Sequence, residues 1–356
     1  MVNIKTDYKN FINIIIVLFL MLCVSGCASN IKKKSLKLQK SLGIKNCTIT
    51  MIAKSTKNIS YNGAKKGASD AAEIIFKRTG VKVNIDWKAP ENEDPAIQAK
   101  NIYEAVSKGT DGILISCSDR NKVLEAINYA VSKGVAVMTY DSDAPGSGRF
   151  SFYGIDDVKA GHILMDQMAE ALNEEGLIAV LAGNPNAPNL KKRVRGVLME
   201  AEKYPGIKII GIFNNLEDTE SAKNKVIEIN NKYPNLNGWV MLGGWAMYNE
   251  GLLDYLKSKK SNIKIVAVNA LPSQLQNLND GFCSILLAQQ IYKWGYVGVS
   301  TVFEKIYYKE AVPEYIEMDM WMITKENIAD WSLKLIQWGY DDPVLNKFLE
   351  SDSISY

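Results

Sequence analysis

Between Cys47 and Ala288 the chain alternates short apolar runs with amphipathic helical patterns, and it does so twice. Thr48–Ala53 reads as a strand, Asn62–Arg78 as an amphipathic helix and Val81–Trp87 as a second strand. Asp94 and Pro95 open the next helix, a capping carboxylate followed by proline at the first helical position, and this helix runs to Lys108. Gly112–Cys117, Asn121–Lys133 and Val135–Tyr140 continue as strand, helix and strand. Strands that are apolar along their whole length, separated by helices, belong in a parallel sheet covered on both faces.

The pattern restarts after residue 155 with helices Val158–Asn173, Leu190–Lys203, Thr219–Lys232 and Tyr248–Ser258. Strands Leu177–Ala182, Ile207–Phe213, Gly238–Leu242 and Ile263–Val268 alternate with them. The halves echo each other locally, Asp111-Gly112-Ile113-Leu114-Ile115 against Asn237-Gly238-Trp239-Val240-Met241. A weak repeat of this kind implies two similar α/β lobes rather than one long sheet. At about 100–200 residues per domain, 356 residues suffice for two cores.

Helix Pro272–Asp280, strand Ser284–Ala288, helix Tyr292–Tyr307 and the run Ile316–Ile323 remain to be placed. If the chain crosses back to complete the first sheet, residues 47–150 and 270–330 form the first lobe and 151–269 the second. Residues 331–356 are then a C-terminal extension. Several chain segments would form the hinge. In open parallel sheets ligands sit beyond the carboxyl ends of the strands, so two such edges facing each other make a closing cleft.

The first thirty residues read as an address. Lys5 and Lys9 precede an unbroken apolar run, Ile14–Val24, of 11 residues. That run is too short to span a membrane, which takes about 17–25 residues as a helix. A basic start, a short apolar segment and small residues at a cut site describe a secretory signal, residues 1–26. Val24-Ser25-Gly26-Cys27 resembles the bacterial lipobox, which implies that the Cys27 thiol carries the lipid of a membrane-anchored lipoprotein. Two or three acyl chains, palmitate-like, anchor stably where one does not. Residues 27–46 carry six lysines and no carboxylate, and read as a flexible tether beside the lipid.

The whole chain has 42 basic and 39 acidic residues, an excess that suggests an anionic partner. Removing Lys5, Lys9 and Asp7 with the signal, and the six tether lysines, leaves 34 basic against 38 acidic residues. The folded body is therefore mildly acidic, and the balance offers nothing to nucleic acid. At 47% hydrophobic and 23% charged, the composition excludes disorder, collagen and coiled coil as the main architecture. A single histidine, His162, leaves no His pair for catalysis and no His-rich metal site. Cys47, Cys117 and Cys283 are odd in number and form no CxxC, so they read as buried, unreactive thiols.

Longer segments carry a resemblance. Val137-Met138-Thr139-Tyr140-Asp141-Ser142-Asp143-Ala144-Pro145, Tyr153–Gly161, Asn189–Gly196, Tyr204–Lys208 and Ile323–Ile328 are similar, in order and spacing, to periplasmic sugar-binding proteins of the ribose/xylose type. The likeness covers nearly all of Cys47–Ile328. It implies a periplasmic binding protein of type I: two Rossmann-like, doubly wound lobes joined by a multi-strand hinge. It also implies a monomer that binds a small sugar without catalysis or cofactor, and that hands it to the permease of an ABC importer. A sensor presenting its closed form to a histidine kinase or chemoreceptor is the alternative.

A sugar offers hydroxyls that both donate and accept, and an apolar ring face, so its site needs charged or amide side chains and aromatics. Matching positions in the first lobe are Lys54, Asn58 and Tyr61. Lys54 is either a ligand donor or a solvated loop lysine, and Tyr61 either a ligand contact or a core-edge aromatic. Asp141 ends the fourth strand, where the family uses Asp to accept from two hydroxyls. Ser142 stands where ribose receptors have Arg, which argues against ribose itself. In the second lobe Arg193, in the first turn of its helix, opposes the helix dipole and matches the family's ligand-clamping Arg. Lys191, Lys192 and Arg195 around it read as surface charges. Trp245, Asn269 (for the family's Asp) and Gln289 complete the set. No GxxxxGK[ST], GxGxxG or calcium loop is present, and Asp141 with Asp143 lacks the further ligands a metal would need.

Overall fold

A computed structural model of the protein describes residues 45–248, 251–258 and 262–352. The signal sequence, the lipid-bearing Cys27 and all of the tether before Lys45 lie outside the described residues.

Two six-stranded sheets form the two lobes. The first has β1 (Asn46–Ile52), β2 (Lys82–Lys88), β3 (Gly112–Ile115), β4 (Ala136–Tyr140), β5 (Ser151–Gly154) and β11 (Tyr315–Glu317). Its order is β11-β5-β4-β3-β1-β2, parallel throughout. The second has β6 (Gly176–Ala182), β7 (Ile207–Asn214), β8 (Gly238–Met241), β9 (Lys264–Val268), β10 (Cys283–Ala288) and β12 (Trp321–Ile323). Its order is β12-β10-β9-β8-β6-β7, with only β12 antiparallel. Leaving aside the edge strands β11 and β12, both sheets follow the 2-1-3-4-5 doubly wound order. β3 and β8 are buried at every residue, as strands covered on both faces must be.

The helices are α1 (Ser60–Thr79), α2 (Pro95–Ser107), α3 (Arg120–Ser132), α4 (Asp157–Ala171), α5 (Pro188–Ala201) and α6 (Thr219–Lys232). They continue with α7 (Gly251–Ser258), α8 (Pro272–Asn279), α9 (Ile291–Tyr308), α10 (Ile328–Gln337) and α11 (Pro343–Asp352). Asp94 caps α2 from the amides of Ala96 and Ile97, with Pro95 at the first turn as its sequence requires. In each lobe the helix that enters from the hinge touches the helix after the first strand through glycines. Gly295 of α9 meets Gly67's stretch of α1 in the first lobe, and Gly161 of α4 meets Gly196 of α5 in the second. A Cβ at any of the four would overlap the facing backbone.

The lobe boundaries differ from the sequence-based division. β5 completes the first sheet, so the first crossing comes after Gly154. β10 stays in the second sheet beside β9, so α8 and β10 belong to the second lobe rather than the first. The return crossing is Gln289–Gln290, which delivers α9 and β11 to the first lobe. The apolar run 316–323 splits, its start pairing with β5 and its end with β10, so 318–320 make a third crossing. A run of alternating apolar residues does not reveal that its two ends enter different sheets.

Candidate functional site

The carboxyl ends of the two sheets face each other, and buried polar side chains from both meet there. Lys54 lies two residues past the end of β1, at the point where the strand order reverses. It is 1% exposed, not a solvated loop lysine. Its Nζ lies 3.4 Å from Glu217 Oε2 of the second lobe, 3.5 Å from Asn189 Oδ1 and 3.8 Å from Glu93 Oε1. Burial works against its ammonium, but the Glu217 and Glu93 carboxylates outweigh that and hold its pKa above the ordinary value. Burial pushes the Glu217 carboxyl up to about 8, Glu93 adding to the rise and Lys54 opposing it.

Asp141 follows β4 in a left-handed conformation, φ 58°. It is no helix cap. Its Oδ2 accepts from Ser116 Oγ at 2.8 Å and from the Tyr61 hydroxyl at 3.0 Å. Its Oδ1 accepts from Asn189 Nδ2 of the second lobe at 3.1 Å. Tyr61 is thus buried, its hydroxyl on Asp141 and its ring in an aromatic group with Tyr140 and Trp294. The Trp294 indole N–H and the Ser142 hydroxyl are both buried with no hydrogen-bond partner among the described residues. Asp143 goes elsewhere: it accepts from Thr139 Oγ1 and pairs with Arg149 at 2.6 Å, so it makes no carboxylate dyad with Asp141.

The second lobe answers with Arg193. It lies in the second turn of α5, since proline starts that helix at residue 188, so the helix dipole weighs on it less than expected. Its guanidinium donates to Asp157 Oδ1 at 2.9 Å, to the Leu242 carbonyl at 2.8 Å and to Gln289 Oε1 at 3.3 Å. Burial pushes the Asp157 carboxyl up to about 7 against the pull of Arg193. Gln289, on the return crossing, donates Nε2 to Asn269 Oδ1 at 3.0 Å. Asn269 follows β9 at φ 72° and donates to the Tyr248 hydroxyl at 2.7 Å and to Ser60 Oγ of the first lobe at 3.3 Å. Lys191, Lys192 and Arg195 are exposed around Arg193, as their reading as surface charges requires.

Six of the nine candidates therefore meet at the lobe interface in two cross-lobe hydrogen-bonded groups: Lys54, Asp141 and Tyr61 joined through Asn189, and Arg193, Gln289 and Asn269 reaching Ser60. Ser142 lies beside the first group. Asn58 accepts the Ser60 amide at 3.1 Å and so shapes the start of α1. Trp245 is buried with its ring over Gly243, and its indole makes no hydrogen bond to the groups named above. Sequence reasoning missed Glu217, Glu93, Ser116, Asn189, Asp157, Tyr248 and Trp294. Glu217 sits at φ 58° in the loop after β7, where only the fold brings it to Lys54. The three cysteines are buried and free, and His162 pairs with Glu200 at 2.7 Å on the flank of the second lobe.

Residues 49–310 match the family model described as periplasmic binding protein domain. The xylose/arabinose-binding protein of Sulfolobus acidocaldarius is 21% identical over 301 residues, 80% of this chain and 73% of that protein. The ribose import binding protein of Bacillus subtilis is 24% identical over 250 residues, 69% of this chain and 77% of its own length. An ABC transporter solute-binding protein of Burkholderia graminis, solved in complex with D-arabinose, superposes with a TM-score of 0.74 at 28% identity. That match covers 80% of this chain and 97% of the other. The chain belongs to the periplasmic binding protein family, whose members bind solutes and do not transform them.

Proposed function

We propose that this member of the family is a membrane-tethered monomer that captures a small sugar, a pentose, hexose or polyol, between its lobes. Its closed form then delivers the sugar to the permease of an ABC importer. One observation carries the reading: carboxylate, ammonium, amide and hydroxyl groups from both lobes are buried against each other beside Tyr61, Tyr140 and Trp294. Sugar hydroxyls both donate and accept, so they can replace these cross-lobe bonds one for one, while the rings cover the apolar C–H face. Asp141 accepts hydroxyls from the first lobe's side, and Arg193, Gln289 and Asn269 supply donors and acceptors from the other. The pentoses named for the relatives support the substrate class.

The anchor rests on the sequence of residues 1–46: the signal and lipobox export the chain and hold it by Cys27 at the outer face of the cell membrane. The body can then swing on the lysine-rich tether and close at a permease in the same membrane.

A thermal-shift panel of D-arabinose, D-xylose, D-ribose, hexoses and polyols tests the function. At a ligand concentration 100 times Kd, binding to the native state alone adds about 2.7 kcal/mol, a rise of several degrees in Tm. If no carbohydrate of the panel moves the melting temperature, the sugar reading fails.

A further inference from the structure

The C-terminal extension lies past the stretch matched by the family model and bridges the two lobes. It is built onto the second: Trp331 is 1% exposed and its Nε1 donates to the Ala270 carbonyl at 2.8 Å. Leu345 and Phe348 of α11 are buried as well. Its turn, Trp338-Gly339-Tyr340, reaches the first lobe. The Trp338 ring stacks on Tyr292 of α9 with centroids 5.6 Å apart and planes 4° from parallel. Tyr292 in turn donates its hydroxyl to Asp70 of α1 at 2.8 Å. Tyr340 Oη presses on Gly63 of α1, leaving no space there for a Cβ. That hydroxyl is buried without a hydrogen-bond partner among the described residues. A cavity of about 410 Å³ remains between α1, Leu271–Ser273 and residues 338–342, so the extension grips the first lobe at separate aromatic points.

We propose that residues 328–352 are a strap that sets the balance between open and closed lobes. Anchored on one lobe, it can hold the other only while the Trp338–Tyr292 stack persists, so that stack favours closure. The orphaned Tyr340 hydroxyl gains water when the lobes part, so it favours opening. The two residues of one turn therefore pull in opposite directions. The inference rests on the closing motion proposed above, but its test requires no sugar.

Hydrogen–deuterium exchange of the full chain in detergent measures the balance at residues 54–61 and 184–193, which line the cleft from either side. Trp338→Ala should speed exchange there about three- to tenfold, the factor implied by one lost aromatic pair. Tyr340→Phe should slow it, and both should leave strands β3 and β8 unchanged. Unchanged cleft exchange in both variants, or slower exchange in Trp338→Ala, overturns the strap. If Trp338→Ala also exposes β3 and β8, Tyr292→Leu removes the same stack from the first lobe and is judged by the same two outcomes. Failure here leaves the sugar reading intact, and failure of the sugar panel leaves this readout unaffected.

Discussion

Asp141 and Asn269 hold the same place in the two lobes. Each follows the fourth strand in its sheet's doubly wound order, each has a positive φ (58° and 72°), and each donates its amide to the neighbouring strand. The acceptors are the Tyr153 carbonyl at 3.0 Å and the Leu287 carbonyl at 2.9 Å. The left-handed turn lifts both side chains off the strand end and toward the opposite lobe. Asp and Asn tolerate this conformation better than other residues with a Cβ.

The backbone at Asp141 can be tested apart from its carboxylate. Asp141→Ala and Asp141→Gly both lose the bonds to Tyr61, Ser116 and Asn189, but only alanine bears the left-handed cost of roughly 1–2 kcal/mol. Glycine's larger unfolded-state entropy offsets part of that. The glycine variant should be the more stable by up to about 1 kcal/mol in denaturant unfolding. Equal stability would mean that the turn relaxes in the variants.

Arg193 has a structural role, pairing with the buried Asp157. Arg193→Ala leaves Asp157 buried and unpaired, a loss of about 3–5 kcal/mol of stability. Replacing both partners, Arg193→Met with Asp157→Leu, should recover most of it, because no buried charge is then left alone. A double variant as unstable as the single one would show that the bonds to Leu242 and Gln289 matter more than the ion pair.

Glu217 makes the protein sensitive to pH in a defined direction. Its carboxyl moves from an ordinary 4.5 to about 8 in the folded state, so the folded state holds a proton that the unfolded state releases. The stability that this adds is complete below pH 4.5 and is lost as pH rises toward 8. Glu217→Gln, which cannot ionise, should show a shallower fall in Tm between pH 5 and pH 8 than the parent. An equal fall in both would remove Glu217 from the account.

The anchor predicts a fractionation result. Cys27→Ser removes the thiol that takes the lipid, so the protein should move from the membrane fraction to the soluble exported fraction. Retention in the membrane would point to the uncleaved apolar run or the lysine tether as the attachment.

Much of the fold was legible because fully buried parallel strands carry an unbroken apolar signal, and because Asp94 with Pro95 marks a helix start unambiguously. β5 was not, being four residues in a proline- and glycine-rich neighbourhood. The third crossing was hidden inside the run 316–323. At the lobe interface, Asp141, Asn269 and Gln289 could be placed because strand ends and crossings are where such folds gather polar groups, and Arg193, on a helix, only through the family resemblance. Glu217 and Glu93 were not, since loop carboxylates look solvated until the fold brings the buried Lys54 within 4 Å of both, across the lobes for Glu217 and within the first lobe for Glu93. Trp294 was hidden for a different reason: on an apolar helix face it reads as core, and only its unpartnered indole N–H sets it apart.

Calorimetric titration of D-arabinose, D-xylose and D-ribose into the parent protein, Asp141→Asn and Asn269→Leu tests the central claim most directly. The account predicts one-to-one binding of at least one of these pentoses to the parent. It also predicts at least about tenfold weaker binding in each variant, the factor for one charge-assisted or buried hydrogen bond, since the sugar must touch both lobes. Absence of heat with all three sugars, or affinity unchanged in both variants, would contradict it.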